Sequence, residues 1–345
     1  MAKIIPNNAQ GIKELKRILS ATGAQKIDNS QLFYDDIITI RYPKYYKETL
    51  TNVQKNTLLK KIFGKNPADT GFWVYYSWLN EVHWSPPENI YHELLTARNL
   101  GLVSKAEQKK FYNFNVGAVG LSIGSSAVAT IVRGGGGRRI KVADFDNVEP
   151  TNLNRLRSGL PSIGLKKAEA ISRIAYETNP FIDIVRYDEG INSGNVNSFF
   201  DEHFKLDVVI DACDSFDAKM MLREGAKKRK IPVIMVTDLG DGTLFDIERY
   251  DIKRNLKPFH NRLANVKGEN FMERGLLAIG KENIRPRVWR AIGEIGKTIP
   301  THPQLGNSAY MSGIVISYVV RSLANKQKIT DKQVLIDLDD FLLKK

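Results

Sequence analysis

Three polar clusters in the chain each follow an apolar run of the kind that forms a buried strand. The first is the small-residue turn Gly120–Ser125, after a run that starts at Val116, and the second is Asp144 with Asp146. The third is Asp214, which follows a separate apolar run. The N–H groups of such a turn attract phosphate, while carboxylates suit ribose hydroxyls and Mg²⁺. The pattern predicts a nucleotide site at the ends of three strands.

Two basic residues follow the second cluster and could neutralise a triphosphate. Arg155 lies in a loop and Lys167 at the start of a helix. Guanidinium and ammonium groups are the usual phosphate partners in proteins. With Asp214 as a ligand for Mg²⁺, these residues describe a site for ATP with Mg²⁺. No zinc is expected, because Cys213 is the single cysteine.

Each of these features also has a structural explanation. The turn could serve only tight packing, the two acids after the second strand could be loop residues, and Lys167 could be a solvated helix residue. Asp214 could be the N-cap of a helix over 216–229. Their joint occurrence in this order favours the nucleotide site.

A strand–turn–helix–strand unit must position these residues. A strand is predicted over Val116–Leu121, a helix over Ala127–Val132, a glycine stop at Gly134–Gly137 and a second strand over Arg139–Ala143. A carboxylate about 20 residues after the turn completes the layout of a nucleotide-binding βαβ unit.

Helices and strands are predicted to alternate over the rest of this region. The predicted helices are 165–177, 194–204, 216–229 and 308–324, and the predicted strands are 181–187, 206–212, 231–237, 244–250 and 333–338. A basic excursion over 251–303 is expected to carry helices at 269–279 and 286–296. This alternation predicts an α/β fold with a doubly wound, mostly parallel, Rossmann-like sheet.

The first 90 residues are predicted to form a small α+β extension of unknown role, followed by a nucleotide-binding domain over 91–345. The expected elements of the extension are helices at 9–22 and 53–63 and strands at 32–41 and 72–84. Ser104 and Glu107 form a capping-box pattern, so a further helix is expected to start at Lys105. No catalytic set is apparent in residues 1–90.

The composition limits the class of protein. The chain has 345 residues, 42% of them hydrophobic, and a net charge of +13 that resides in residues 1–115 and 251–345 rather than between them. The basic flanks leave RNA or an acidic polypeptide open as a partner, although scattered lysines favour ordinary solvated charge. The apolar run Gly313–Val320 is too short to span a membrane, and the N-terminus has no signal-peptide pattern. A soluble cytoplasmic protein is expected.

The order of the motifs resembles the ThiF/MoeB/E1-like superfamily, whose members adenylate a carboxylate, typically the C-terminus of a ubiquitin-like protein. The matching segments are the turn, the D-x-D pair, N-L-x-R, G-x-x-K and a strand ending in aspartate: Gly120–Ser125, Asp144–Asp146, Asn152–Arg155, Gly164–Lys167 and Asp211–Asp214. The turn GLSxG and the upstream Arg98-Asn99 are similar to a bacterial branch of this superfamily.

The resemblance implies a role for each motif residue. Arg98 would reach the nucleotide of the partner subunit in a homodimer, and Asp214 would bind Mg²⁺. The catalytic set would then comprise Arg98, Arg155, Lys167 and Asp214. The nucleotide-binding set would comprise Gly120, Ser122, Gly124, Asp144 (at the ribose), Asp146, Asn152, Arg155 and Lys167.

Some positions depart from the superfamily pattern. Ser122, Ile123 and Ser125 replace glycines of the usual turn, which restricts backbone approach to phosphate, although Ser122 could offer its hydroxyl. No cysteine follows Cys213, so the thioester nucleophile of ubiquitin-activating enzymes has no counterpart in 251–303. Cys213 is interpreted as a small buried residue.

The favoured hypothesis is an ATP- and Mg²⁺-dependent adenylyltransferase that converts a carboxylate to an acyl-adenylate without its own thioester cysteine. The carboxylate could belong to a ubiquitin-like protein, a peptide, another acyl substrate or an RNA. Two alternatives stay open. One is an NAD(P)-binding oxidoreductase, and the other is a catalytically degenerate E1-like binding module.

Overall fold

The computed structural model of the chain describes residues 2–263 and 271–343. Two compact units are present. The first comprises Met1–Gln108 with Tyr176–Phe181, and the second comprises Lys109–Ala175 with Ile182–Lys345. Within the described ranges, no helix has both the length and the hydropathy needed to cross a membrane.

The first unit contains a four-stranded sheet and several helices. Its elements are β1 (Lys3–Pro6), α1 (Ala9–Thr22), β2 (Gln25–Ile27), α2 (Ser30–Arg41), α3 (Asn52–Phe63), β3 (Phe72–Tyr76), β4 (Glu81–Ser85) and α4 (Glu88–Leu95). The strand order is β1-β3-β4-β2. The helix α5 (Lys105–Tyr112) then leads into the second unit, and the Ser104–Glu107 capping box at its start is confirmed, with Ser104 N donating to Glu107 Oε2 at 2.8 Å.

Two strand predictions in this unit are wrong. Residues 32–41 form most of the helix α2, because Tyr34, Ile37 and Ile38 recur at helical spacing and pack together in the core. The β-branched residues suggested a strand, but packing overrides that weak preference. The predicted strand 72–84 is instead the hairpin of β3 and β4, which turns at Asn80, where φ is 52°.

The second unit is built on a seven-stranded sheet. Its elements are β5 (Val116–Val119), α6 (Gly124–Arg133), β6 (Arg139–Ala143), α7 (Lys167–Thr178), β7 (Asp183–Tyr187), α8 (Val196–Asp201), β8 (Val208–Asp211), α9 (Phe216–Arg229), β9 (Val233–Leu239), β10 (Gly242–Glu248), α10 (Phe271–Ile279), α11 (Pro286–Glu294), α12 (Gly306–Ala324), β11 (Gln333–Asp337) and α13 (Asp339–Leu342). The predicted alternation is therefore confirmed. The first residues of the helix predicted over 269–279 lie outside the described residues.

The strand order in this sheet is β11-β10-β9-β8-β5-β6-β7. The five strands from β9 to β7 are parallel, and β10 and β11 add to the edge as antiparallel strands. All residues of β5 and β8 are buried, as expected for central strands covered on both faces. The fold is the predicted doubly wound α/β architecture.

The order of strands reverses next to β5. The chain passes from β5 to β6 on one side and later returns to β8 on the other. A crevice opens at the carboxyl ends of the strands where an α/β sheet reverses in this way, and ligands bind there. The turn after β5 and the ends of β6 and β8 therefore meet at one edge of the sheet.

Candidate nucleotide-binding site

The turn after β5 is pressed against the end of β8. Gly120 has a φ of 81°, and its N–H donates to Ala143 O at 3.0 Å. A Cβ at this position would lie 2.3 Å from Ala212 O, a distance that no real contact permits. Both the positive φ and this close approach require glycine. Tight packing is thus sufficient to explain Gly120.

Gly124 differs from Gly120, since neither backbone conformation nor packing requires glycine there. It is the first residue of α6, and a Cβ would meet its nearest neighbours at an ordinary 3.7 Å. Among the described residues, no side chain caps this end of α6. The helix N-terminus carries a partial positive charge that favours anions. Gly124 therefore lies at a helix N-terminus whose partial charge favours an anion.

The two acids after β6 have different environments. Asp144 is only 8% exposed, and its carboxylate accepts the N–H of Leu121 at 2.6 Å and that of Asp146 at 2.9 Å. Burial raises the pKa of Asp144, and the charge of Lys167 opposes this. Asp146 is exposed, and its Oδ2 lies 2.7 Å from Lys167 Nζ. Asp144 thus shapes the turn, while Asp146 is exposed and pairs with Lys167, which is buried rather than a solvated helix residue.

A short loop positions Arg155 over the turn. The buried Asn152 accepts the N–H of Glu149 through Oδ1 at 3.1 Å, which closes a capping box around a single 3₁₀ turn. Arg155 follows this turn, and its Nε donates to Ser122 Oγ at 2.8 Å. Its Nη1 donates to Thr151 O and to the Asn154 side chain, both at 2.9 Å. The guanidinium is therefore fixed next to the end of β5.

The charge environment of Arg155 includes two acids from neighbouring strands. Burial lowers the pKa of Arg155, and the charges of Asp238 and Asp214 oppose that effect. Asp214 is exposed, between β8 and α9. The N-cap of α9 is Ser215, whose hydroxyl accepts the N–H of Ala218 at 3.3 Å, so a capping role does not explain Asp214. The Asp214 carboxylate is therefore exposed at the carboxyl end of β8 without a capping role.

Within the described ranges, no group of three or more His, Cys, Asp or Glu side chains could enclose a metal ion. Mg²⁺ is often held by one or two carboxylates together with substrate phosphates. An exposed Asp214 close to the turn Gly120–Ser125 fits that kind of coordination.

A buried ion network holds the strand that leads to Asp214. Asp211 is fully buried, with Lys219 Nζ at 3.0 Å and Arg223 Nη1 at 2.6 Å. Burial raises the pKa of Asp211, but the two cations have the larger combined effect and lower it to about 2. Arg223 also reaches Glu248 Oε2 on β10 at 2.7 Å. The network ties β8, α9 and β10 together beneath the site.

Cys213 belongs to this network rather than to a reactive centre. Its Sγ donates to Asp211 Oδ1 at 3.2 Å. Burial, followed by the charge of Asp211, raises the pKa of the thiol well above its usual value. Because the thiolate is the reactive form, Cys213 is a poor nucleophile at neutral pH.

Asp238 is a candidate residue that the sequence analysis missed. It lies near the end of β9, is 1% exposed, and its Oδ2 has no hydrogen-bond partner among the described residues. Burial raises the pKa of Asp238 to about 7, with Ser312 and Arg155 opposing. The signal was present in the sequence, because Asp238 directly follows a predicted strand, as Asp144 does.

Arg98 is the one predicted site residue that lies in the first unit. It is exposed in the 3₁₀ turn Ala97–Asn99. The other predicted residues all belong to the second unit, at the ends of β5, β6 and β8 or in the segments that follow them. The participation of Arg98 in the site stays a prediction.

Comparison with known proteins gives one family and several relatives. Residues 96–248 match the model of the ThiF family. An uncharacterized protein of Mycobacterium tuberculosis, MT1398, is 30% identical over 280 residues, covering 78% of this chain and 38% of the relative. The tRNA threonylcarbamoyladenosine dehydratase of Bacillus subtilis is 29% identical over 182 residues, covering 52% of this chain and 70% of the relative. The adenylyltransferase and sulfurtransferase MOCS3 of Aedes aegypti is 28% identical over 200 residues, covering 58% of this chain and 40% of the relative.

The first and third of these relatives extend well beyond the match, since the chain spans about two fifths of their length. The residues that match the family model include the turn, both acids after β6, Arg155, Lys167 and Asp214. On this evidence residues 96–248 carry a ThiF-family domain, and the chain is similar to relatives of the ThiF/E1-like superfamily.

Proposed function

We propose that this chain is an ATP- and Mg²⁺-dependent adenylyltransferase that activates a carboxylate as an acyl-adenylate. The observation that carries the proposal is the position of Arg155, which is hydrogen-bonded to Ser122 in the turn after β5 and lies within electrostatic range of the exposed Asp214 after β8. A cationic group there would neutralise phosphates, and the carboxylate would hold their Mg²⁺.

The order of the strands suggests how the nucleotide lies. Its ribose would sit over the end of β6, where Asp144 and Asp146 supply carboxylates. The phosphates would lie over the turn, near Gly124 and Arg155, with the metal ion on Asp214. Lys167 would turn from Asp146 towards the phosphates, a small movement for a flexible side chain.

The chemical step is a substitution at the α-phosphorus. A carboxylate oxygen of the substrate forms a bond to this phosphorus, the bond to the bridging oxygen breaks, and pyrophosphate leaves with the electron pair. Bound Mg²⁺ would stabilise the departing pyrophosphate. The chain itself contributes positioning and charge neutralisation through Arg155 and Lys167. Since Cys213 is a poor nucleophile, the final acyl acceptor would come from the substrate or a partner.

The replaced glycines of the turn do not oppose this proposal. Ile123 and Ser125 are 5% and 4% exposed, so their side chains point into the protein rather than towards a ligand. The Ser122 hydroxyl accepts from Arg155 and so helps to orient it. These contacts favour a working site over a degenerate binding module. An NAD(P) enzyme would have no need of Arg155, Lys167 and Asp214 together.

The proposal includes the assembly and the substrate class. The active form would be a cytoplasmic homodimer in which Arg98 reaches the nucleotide of the other subunit. The substrate would be a protein or peptide with an accessible carboxylate, and an RNA-borne carboxylate is the variant that the basic flanks allow. Residues 1–90 would form an extension separate from the adenylation domain of 91–345.

Exchange of radiolabelled pyrophosphate into ATP tests the proposal. The wild type should catalyse exchange with at least one member of a carboxylate panel that includes peptides ending in Gly-Gly. Asp214→Ala and Arg155→Ala should each lower exchange at least 100-fold, because each removes charge that acts at the reacting phosphates. Asp217→Asn is the matched control, since Asp217 is an exposed acid in the first turn of α9.

Two results would contradict the proposal. Unchanged exchange in both alanine variants would mean that the chemistry occurs elsewhere. A larger thermal stabilisation by NAD⁺ than by Mg·ATP would favour the oxidoreductase alternative.

A further inference from the structure

Asn154 is an exposed residue whose side-chain amide is engaged at both ends. Its Oδ1 accepts a hydrogen bond from Arg155 Nη1 at 2.9 Å, and its Nδ2 donates to Gln304 O at 2.8 Å. Gln304 lies 150 positions further along the chain, directly before α12. The amide therefore joins the arginine of the proposed site to the segment that leads into α12.

The loop that carries Arg155 contacts α12 at two further points. Gly306, the first residue of α12, lies so close to the loop that a Cβ there would be 2.4 Å from Asn154 O. One turn further along the helix, the centroid of the Tyr310 ring lies 4.0 Å from the guanidinium of Arg157, which is a cation–π contact. Contacts on both sides of Arg155 therefore fix the loop to this helix.

The helix α12 also packs directly against α6, whose N-terminus adjoins the turn Gly120–Ser125. A Cβ on Gly313 of α12 would lie 2.6 Å from Ser126 O of α6, so the two helix backbones touch at this point. The helix α12 is thus a common support for the turn after β5 and for the loop of Arg155.

The hydrogen bonds of Arg155 show which end of its guanidinium remains available. A guanidinium has five N–H donors in one plane. Nε donates to Ser122 Oγ, and Nη1 donates to both Thr151 O and Asn154 Oδ1. Among the described residues, Nη2 has no hydrogen-bond partner. The three bonds fix the plane of the guanidinium and leave Nη2 for a ligand.

We propose that Asn154 is a positioning residue for Arg155, because its amide bridges the guanidinium to the start of α12 and so keeps Nη2 directed at the nucleotide phosphates. This inference rests on the proposed function, in which Arg155 contacts those phosphates. Without the bridge, Nη1 retains a single acceptor and the arginine gains conformational freedom. Nucleotide binding would then have to order the side chain, which lowers the affinity.

A double-mutant cycle tests this inference through calorimetric titration of the full chain with Mg·ATP. Asn154→Ala should weaken binding about threefold to tenfold, which corresponds to one hydrogen bond. In an Arg155→Met background the same substitution should change the affinity by less than about twofold, because the group that Asn154 positions is absent. A merely structural role would give the same loss in both backgrounds.

A second cycle and a matched control accompany the first. Gly306→Ala introduces a Cβ that would displace the same loop, so its loss of affinity should not add to that of Asn154→Ala. Asn307→Ala is the control, since Asn307 is also an exposed amide at the start of α12 but its Nδ2 donates to Asp241 Oδ1, at 2.6 Å. It should bind Mg·ATP within about twofold of the wild type.

The possible outcomes separate the two proposals. No binding of Mg·ATP by the wild type, or unchanged affinity in Arg155→Met, would contradict the proposed function itself. Wild-type affinity in Asn154→Ala, an equal loss in Asn307→Ala, or additive losses in the cycles would overturn the role of Asn154 alone. If Arg155→Met binds too weakly to be measured, the cycle with Gly306→Ala decides.

Discussion

Substitution by alanine should destabilise the fold at Gly120 but leave it intact at Gly124. Gly120 has a φ of 81°, which costs an alanine about 1–2 kcal/mol. Its Cβ would also lie 2.3 Å from Ala212 O, and relieving that contact adds about 1–3 kcal/mol. Gly120→Ala should therefore destabilise the second unit by roughly 2–5 kcal/mol.

Gly124→Ala should leave the fold intact. The new Cβ would have contacts no closer than 3.7 Å, and Gly124 already has ordinary helical φ. Alanine at the start of α6 is expected to change stability by less than about 1 kcal/mol, because it lacks the entropy cost of glycine. If phosphate approaches the backbone here, the added methyl group should weaken Mg·ATP binding at least tenfold.

Thermal unfolding with and without Mg·ATP measures both effects. A unit of this size loses about 2–4 °C of Tm per kcal/mol, so Gly120→Ala should unfold at least 4 °C below the wild type. At 100 times its Kd, Mg·ATP should stabilise the wild type by about 2.7 kcal/mol. Gly124→Ala should keep the wild-type Tm without ligand but gain much less from Mg·ATP.

Each variant can refute one part of this reasoning. Wild-type stability of Gly120→Ala would show that the turn does not depend on its contact with β8. A full Mg·ATP shift in Gly124→Ala would show that the nucleotide does not approach α6 at its first residue.

Two further predictions concern the network beneath the site. Cys213→Ala should retain pyrophosphate exchange within about twofold, because its thiol has a raised pKa and is not needed as a nucleophile; a loss of more than tenfold would restore a catalytic role. Arg223→Met should lower the free energy of unfolding in urea by about 3–5 kcal/mol, since it removes the ion-pair partner of the buried Glu248 and one of the two cations that pair with the buried Asp211. Its control, Arg186→Met, removes partly exposed ion pairs with Asp188 and Glu169 and should cost less than about 1 kcal/mol. Equal losses in the two variants would count against the buried network.

Most of the second unit could be predicted from residue patterns alone. The strand Arg139–Ala143 and the helix 216–229 agree with the structure at both ends, because apolar runs bounded by glycine or a capping serine leave little choice. In the first unit, the β-branched residues around Ile37 and Ile38 suggested a strand. Their burial against α3 and α4 instead selects a helix, and that contact between separate segments is not visible in a local pattern.

The sequence by itself determined the types and the order of the chemical groups: a small-residue turn, two acids, Arg155, Lys167 and Asp214. Only the tertiary structure decided which of these groups contact one another. It pairs Lys167 with Asp146, places Arg155 on Ser122, and adds Asp238 from a strand that motif spacing does not connect to the others. The physical reason is that sheet order, rather than chain order, sets which carboxyl ends are adjacent, and burial then sets the charge that each acid can carry.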